Sequence, residues 1–329
     1  MKKFLNISML AVFVSLAIYG CKKDRGKSDS NIVPEKKEEV TTKIAEWKST
    51  ITSTSDVSVL LSELEMPLNT RMETVGATGN LQISFPDKLT VNINLPLRKK
   101  DGSVVTGIVE VKEILLRDKG DFIRQNRPTL TASAMLVTGG SYFLSITQGG
   151  EELTANYSFS LPQPDGNYDL FEGKDAGNNE NVWDQVKDSG RIQRWRDSTS
   201  GTDTFYNFCC TDKFNWINCD FFYSCGCPLT AVKVKLPEEF GNLNTRVMCL
   251  FKDINSVTSL SGNPTSKLFE TAGSYKAPVG EKVTIVVMCR KDGKYFFATK
   301  DVTLTLDGTY EITPGEVTLS AMKSLIDNL

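Results

Sequence analysis

Between residues 55 and 165, apolar and polar positions alternate with period two. Val91, Ile93 and Leu95 are separated by Asn92 and Asn94, the signature of a half-buried strand. Asp101-Gly102 marks a hairpin turn, and Val104 to Val111 follows as the next strand, with Val109 and Val111 on the face opposite Glu110 and Lys112. Another run, Tyr142 to Ile146, lies between the pairs Gly139-Gly140 and Gly149-Gly150. Residues 57–65 (VSVLLSELE) fit a short helix or a first strand.

The rhythm breaks between 166 and 203. Gly173 to Asn181 is a run of polar turn formers, and Val182 to Asp197 holds Trp183 and Trp195 among charges, so a linker or irregular insert is predicted there. From 204 the alternation returns. Val232, Val234 and Leu236 oppose Lys233 and Lys235, and Val283, Ile285, Val287 and Cys289 share one face. Asp292-Gly293 predicts a tight hairpin into Tyr295, and Val302, Leu304 and Leu306 alternate with Thr303 and Thr305 before Asp307-Gly308. Leu319, Met322, Leu325, Ile326 and Leu329 recur on a 3.6-residue period, predicting a terminal amphipathic helix over 318–329 whose apolar face packs on the body. The predicted fold class is therefore all-β. It comprises two β-sandwich-like domains of Ig-like or Greek-key type, 55–165 and 204–317, with a short C-terminal helix.

What precedes the strands sets the address. Lys2 and Lys3 lead into an apolar run from Phe4 to Tyr19, and Gly20 stands before Cys21. That run falls short of the roughly twenty residues that cross a bilayer, as in a secretory signal. A small residue directly before a cysteine resembles the lipobox of bacterial lipoproteins. The resemblance implies removal of residues 1–20 and attachment of fatty acyl chains (palmitate) at Cys21, holding the protein to the outer membrane. Residues 21–54 are charged and poor in apolar groups, and are expected to form a flexible tether. Lys22, Lys23, Asp24 and Arg25 directly after the lipid cysteine resemble the surface-export signal of Bacteroidota lipoproteins, implying display on the cell surface.

Composition narrows the chemistry. The 329 residues contain no histidine, which excludes Ser-His-Asp and Cys-His catalysis and every histidine-dependent zinc site. Paired carboxylates, lysine-assisted nucleophiles and oxygen-only calcium sites remain. A net charge of −2 gives no basic surface for nucleic acid. Cys209, Cys210, Cys219, Cys225 and Cys227 cluster without a CxxC pair, so local disulfides are expected in an exported protein and no metal or cofactor is. Cys225-Gly226-Cys227 reads as too tight to close on itself, so both cysteines are expected to reach elsewhere. Cys249 shares a face with Val247 and Phe251, and Cys289 with Ile285 and Val287, which predicts a cross-sheet disulfide between them. Trp183, Trp195, Tyr206 and Tyr223 fall near the domain junction and are candidate ligand-facing aromatics. Trp216, inside a strand-like run, is expected to fill core.

Three strings carry a further likeness: Gly102 to Glu113 (GSVVTGIVEVKE), Asn126-Arg-Pro-Thr129 and Gly139-Gly-Ser-Tyr-Phe143. Together they resemble a recurrent β-domain of secreted Bacteroidota proteins, distantly similar to ZU5-type modules. Trp216-Ile-Asn-Cys-Asp220 resembles a segment that follows this domain in uncharacterised lipoproteins. The likeness implies an architecture and an exported address, with no catalytic residues to carry over. The expected function is that of a lipid-anchored cell-envelope protein, binding or structural, without catalysis. Its partners are the membrane, through the lipid, and a glycan or envelope protein. The alternatives are a glycan-binding accessory lipoprotein of a polysaccharide uptake system and a histidine-free hydrolase using two carboxylates.

Overall fold

In the computed structural model the described residues are 44–85, 90–163, 168–187, 192–196, 204–271 and 275–329, with the backbone alone described for 161–163, 192–196 and 204–213. Cys21 and the side chains of Cys209, Cys210, Trp195 and Tyr206 lie outside the described residues. In chain order the N-terminal elements are α1 (Asp56–Leu64), β1 (Asn69–Val75), β2 (Asn80–Ser84), β3 (Thr90–Asn94), β4 (Leu97–Arg98), β5 (Val104–Val105), β6 (Gly107–Leu116) and α2 (Lys119–Arg124). Next come β7 (Leu136–Gln148), β8 (Glu151–Glu152), β9 (Thr154–Gln163), β10 (Asp169–Gly177), β11 (Glu180–Gln185), β12 (Ile192–Arg196), β13 (Thr204–Lys213) and β14 (Trp216–Phe222). The C-terminal set is β15 (Leu229–Thr230), β16 (Lys233–Lys235), β17 (Thr245–Phe251), β18 (Val257–Asn263), β19 (Leu268–Thr271), β20 (Ala277–Pro278), β21 (Lys282–Lys291), β22 (Lys294–Thr303), β23 (Thr309–Glu311), β24 (Gly315–Val317) and α3 (Leu319–Asp327).

The fold is all-β, with three short helices among the described residues. One sheet has the order β1-β6-β7-β14-β10-β11, a second β12-β13-β9-β3-β2, and a third β23-β16-β19-β18-β17-β21-β22-β24. The first two enclose a core in which Val91, Ile93, Val109, Val111, Leu144, Tyr157, Phe159 and Ile217 are buried, the expected outcome of period-two strands facing one another. The first sheet is apolar on its other face as well. There Ile114, Leu116, Phe171, Trp183 and Trp216 meet Leu60 and Leu64 of α1, Phe122 and Ile123 of α2, and Met248, Leu250, Val286 and Met288 of the third sheet. The third sheet's remaining face buries Val247, Cys249, Phe251, Ile285, Val287 and Cys289.

The stretch 57–65 is a helix. Ser55 caps it by accepting from the Ser58 N–H, and Val57, Leu60, Leu61 and Leu64 fall on one buried stripe. The terminal helix α3 is capped by Thr318 and buries Met322 and Ile326. It lies close on α2 because Gly120 has no side chain; a Cβ there would sit 2.5 Å from the Ile326 carbonyl oxygen.

Several boundaries differ from the sequence expectation. The supposed linker 166–203 supplies β10 and β11, a hairpin whose β10 pairs with β14. Residues 204–222 belong to the first two sheets, since β13 pairs with β9 and β14 with β7. Thr42–Leu329 form one compact unit, because the first and third sheets share a core. Residues 44–54, expected as the end of the tether, are laid on the third sheet. Ala45 N–H donates to Glu238 O (2.8 Å), Lys48 N–H donates to Asn242 Oδ1 (3.1 Å), and Trp47 packs on Phe269 with ring centroids 5.1 Å apart.

The expected disulfides are also corrected. Cys249 and Cys289 do point into one core, but both are free and buried. They sit on neighbouring strands of a single sheet, where Cys249 pairs with Ile285 and Cys289 with Thr245. That four-residue offset is about 13 Å along the strands, well beyond disulfide reach. Burial pushes both thiols up to about 12. Cys219, another disulfide candidate, is free and buried in the first core. Cys225 and Cys227 bond to each other. Gly226 adopts φ +62°, which curls the chain enough to bring the two Cα atoms to 5.1 Å.

Across the second core, Arg246 of β17 holds Glu180 at the start of β11 by two bonds, 2.7 and 3.0 Å, and Ser259 and Ser261 donate to the same carboxylate at 3.0 and 2.9 Å. Burial raises the Glu180 pKa, but the Arg246 charge and these bonds outweigh it and leave the group below the usual glutamate range. Its contribution to stability is present above the unfolded-state pKa and is lost as pH falls through the depressed folded value. Glu180→Ala, which strands a guanidinium that is 5% exposed, is expected to lower the unfolding free energy by about 3–5 kcal/mol in urea titrations. Glu180→Gln should flatten the acid limb of the stability curve below about pH 4. In peptide mapping without reductant, Cys249 and Cys289 should be alkylated only after denaturation.

Candidate functional site

Helix α2 stops at the string Asn126-Arg127-Pro128. Asn126 takes φ +48°, a left-handed conformation that asparagine tolerates better than most residues. Pro128 disfavours helical backbone at the residue before it. The turn is closed by Asn126 N–H to Ile123 O (3.0 Å) and Arg127 N–H to Phe122 O (2.8 Å). Thr129 then bonds to Ser256 and Val257 of the third sheet. This geometry lays the Arg127 guanidinium over the ring of Trp216, 4.7 Å from its centroid, a cation–π contact.

Arg127 forms one side of a groove of about 390 Å³ whose other walls are α1 and the tip of the β10–β11 hairpin. At that tip Gly177, Asn178 and Asn179 all have positive φ (80°, 53° and 60°), so the hairpin turns on two asparagines in the left-handed region. Side-chain amides hold the walls together. Asn126 Nδ2 donates to Asn179 O (2.7 Å), Asn181 Nδ2 to Asn126 O (2.9 Å) and Asn179 Nδ2 to Ser58 Oγ (2.8 Å). Asn178 accepts from Ile51 N–H (3.0 Å) and donates to Ser49 O (3.1 Å), pinning residues 49–51 to the same hairpin.

The electrostatics of the groove are mixed. Burial lowers the Arg127 pKa to about 10, against the opposing pull of Asp175 and Glu65, so the group stays charged at neutral pH. Among the described residues its guanidinium has no hydrogen-bond acceptor or ion-pair partner. Arg124, by contrast, is committed to Leu64 O (2.9 Å) and Asp327 (3.0 Å). The Asn126 side-chain oxygen is buried without a partner. Two further cavities differ in character. One, of about 460 Å³ beside Phe143, Phe214 and Leu153, is the more apolar. The other, of about 380 Å³, is an open cleft along residues 44–56.

The two candidate aromatics whose side chains are described, Trp183 and Tyr223, do not line the groove. Trp183 is 1% exposed, and its indole N–H donates to Pro128 O (2.8 Å), so it supports the Arg127 turn from below and faces no ligand. Tyr223 is half-buried beside the third core, its hydroxyl donating to Glu281 (2.6 Å). Trp216 fills core as expected, at 8% exposed, and underlies Arg127. The string 216–220 is buried on both faces. Ile217 and Cys219 enter the first core, while Asn218 receives bonds from Thr138 (3.0 Å) and Ser141 (2.6 Å) and donates to Asp220. Burial raises Asp220 well above the ordinary carboxylate value. At 0% exposure this acid is out of reach of a substrate and serves the sheet. Arg127 and the Asn178-Asn179 tip were missed by sequence reasoning. Their signals were the adjacent asparagines after a glycine and an arginine between asparagine and proline.

Gly173 of β10 makes the close approach possible. A Cβ there would lie 2.6 Å from Trp216 Cβ, 3.3 Å from the Trp183 ring and 3.5 Å from an Arg127 nitrogen. Gly173→Ala is expected to cost about 1–3 kcal/mol by overpacking and to shift tryptophan emission, as read by thermal melts and fluorescence. No protein-family model matches this chain, and no curated protein matches it.

Proposed function

We propose that this is a lipid-anchored protein of the cell envelope that holds a polar ligand in the groove at Arg127 and does not transform it. One observation carries the reading: a charged guanidinium, held over the Trp216 ring and short of protein partners, lines a preformed concave site. An arginine in that state favours a ligand that completes its hydrogen bonds. The groove's hydroxyl at Ser58 is already engaged with Asn179 and the Thr52 carbonyl, as a structural group would be, and the strongly shifted acid Asp220 is sealed in the core. The leader, with its lipobox-like Gly20-Cys21, supports the anchor, and the likeness to exported Bacteroidota β-domains supports the same address.

Two measurements test this. The parent protein is expected to carry acyl mass at Cys21 and to enter the detergent phase, with Cys21→Ser staying in the aqueous phase; equal partitioning ends the anchor claim. Hydrophilic fractions from envelope extracts should include one that raises the thermal midpoint and is recovered with its mass unchanged. A stabilising fraction that is chemically converted on incubation contradicts binding without turnover.

A further inference from the structure

Arg127 feels two carboxylates that it does not touch. Asp175, on β10, and Glu65, at the C-terminal end of α1, both line the groove and both pull on the Arg127 charge. Among the described residues neither forms an ion pair with it. The groove thus presents a guanidinium and two carboxylates that no ion pair joins. An anion on Arg127 would stand near two like charges, and a cation near the carboxylates would face the guanidinium. A hydroxyl group, donor and acceptor at once, suits both sides. Two hydroxyls on adjacent carbons can serve a guanidinium and a carboxylate together.

The rest of the lining agrees. Asn179 and Asn181 use their Nδ2 atoms to hold the walls, and their Oδ1 atoms have no protein donor among the described residues. Amide oxygens beside a guanidinium and carboxylates make a surface rich in neutral and charged hydrogen-bonding groups and poor in apolar ones. A volume of about 390 Å³ lies in the lower part of the roughly 300–1,000 Å³ range of small-ligand sites. The walls are cross-bonded before any ligand arrives, so little ordering cost remains for binding.

We propose that the groove takes a neutral saccharide, docking a pair of vicinal hydroxyls between the Arg127 guanidinium and the carboxylates of Asp175 and Glu65. This rests on the reading of the groove as the binding site. It names the ligand class and assigns specificity to the balance of one guanidinium against two carboxylates.

The test is calorimetric titration of the full-length protein in detergent with neutral oligosaccharides of gluco, manno and galacto configuration, each beside its uronic-acid counterpart. At least one neutral series is expected to bind and its uronate to bind more weakly. Arg127→Ala should weaken the neutral ligand about tenfold or more. Asp175→Asn, which keeps an acceptor for the Gly177 N–H that Asp175 holds at 2.7 Å, should weaken it roughly threefold while leaving the melting curve unchanged. Preference for uronates, or no binding by any neutral series, overturns the ligand class. If a non-saccharide envelope fraction then stabilises the protein through Arg127, the groove reading stands without the class. If a saccharide binds and both variants bind it as the parent does, the groove itself is the wrong site.

Discussion

A buried guanidinium–carboxylate pair, Arg246 with Glu180, sets the position of the β10–β11 hairpin against the third sheet. Both oxygens of Glu180 are occupied, by the arginine fork and by the hydroxyls of Ser259 and Ser261. Those bonds offset the desolvation of the carboxylate, while the Arg246 Nε is left buried without a partner. The hairpin has few apolar anchors of its own, with Leu170, Phe171 and Trp183 as its buried residues. Tied at Glu180, its tip projects toward α1 and the end of α2 and becomes the far wall of the groove. The same tip holds residues 49–51 through Asn178, so that segment and the groove share one turn.

Much of the architecture was legible as alternation. The period-two run at 283–289 became strand throughout and those at 91–95 and 104–111 nearly so, whereas the run at 302–306 leaves its strand after Thr303 and exposes Leu306. The Asp292-Gly293 turn adopts positive φ at both residues (51° and 75°), as a two-residue hairpin of this kind requires. The alternation gave Cys249 and Cys289 their faces. It could not give register, and the separation of Cys249 from Cys289 is a matter of register alone. The hairpin at 169–185 was read as irregular for a different reason. Beyond Phe171 nearly every residue of β10 faces solvent, so no apolar rhythm survives to mark it as strand. Its pairing comes from backbone bonds to β14 and from the ion pair at Glu180, neither of which leaves a periodic trace.

The site was less legible than the fold. Asn126-Arg-Pro-Thr129 stood out only as a string that carries a likeness, and the partner that gives Arg127 its meaning, Trp216, lies far away in sequence. The aromatic residues that looked like a platform proved to be supports where their side chains are described: Trp183 props Pro128, and Tyr223 is bonded to Glu281. The chemistry that remains at the surface is polar and nearly balanced in charge. Such a groove suits recognition of hydroxyl-rich groups, with Arg127 held by its ring contact and given room by Gly173.

Hydrogen–deuterium exchange with and without a saturating neutral oligosaccharide tests the account most directly, because it reports where the ligand rests without altering a residue. Slowed exchange confined to residues 124–128 and 173–181, with the sandwich strands unchanged, is the predicted result. Protection that spares both segments and falls elsewhere on the body would contradict it.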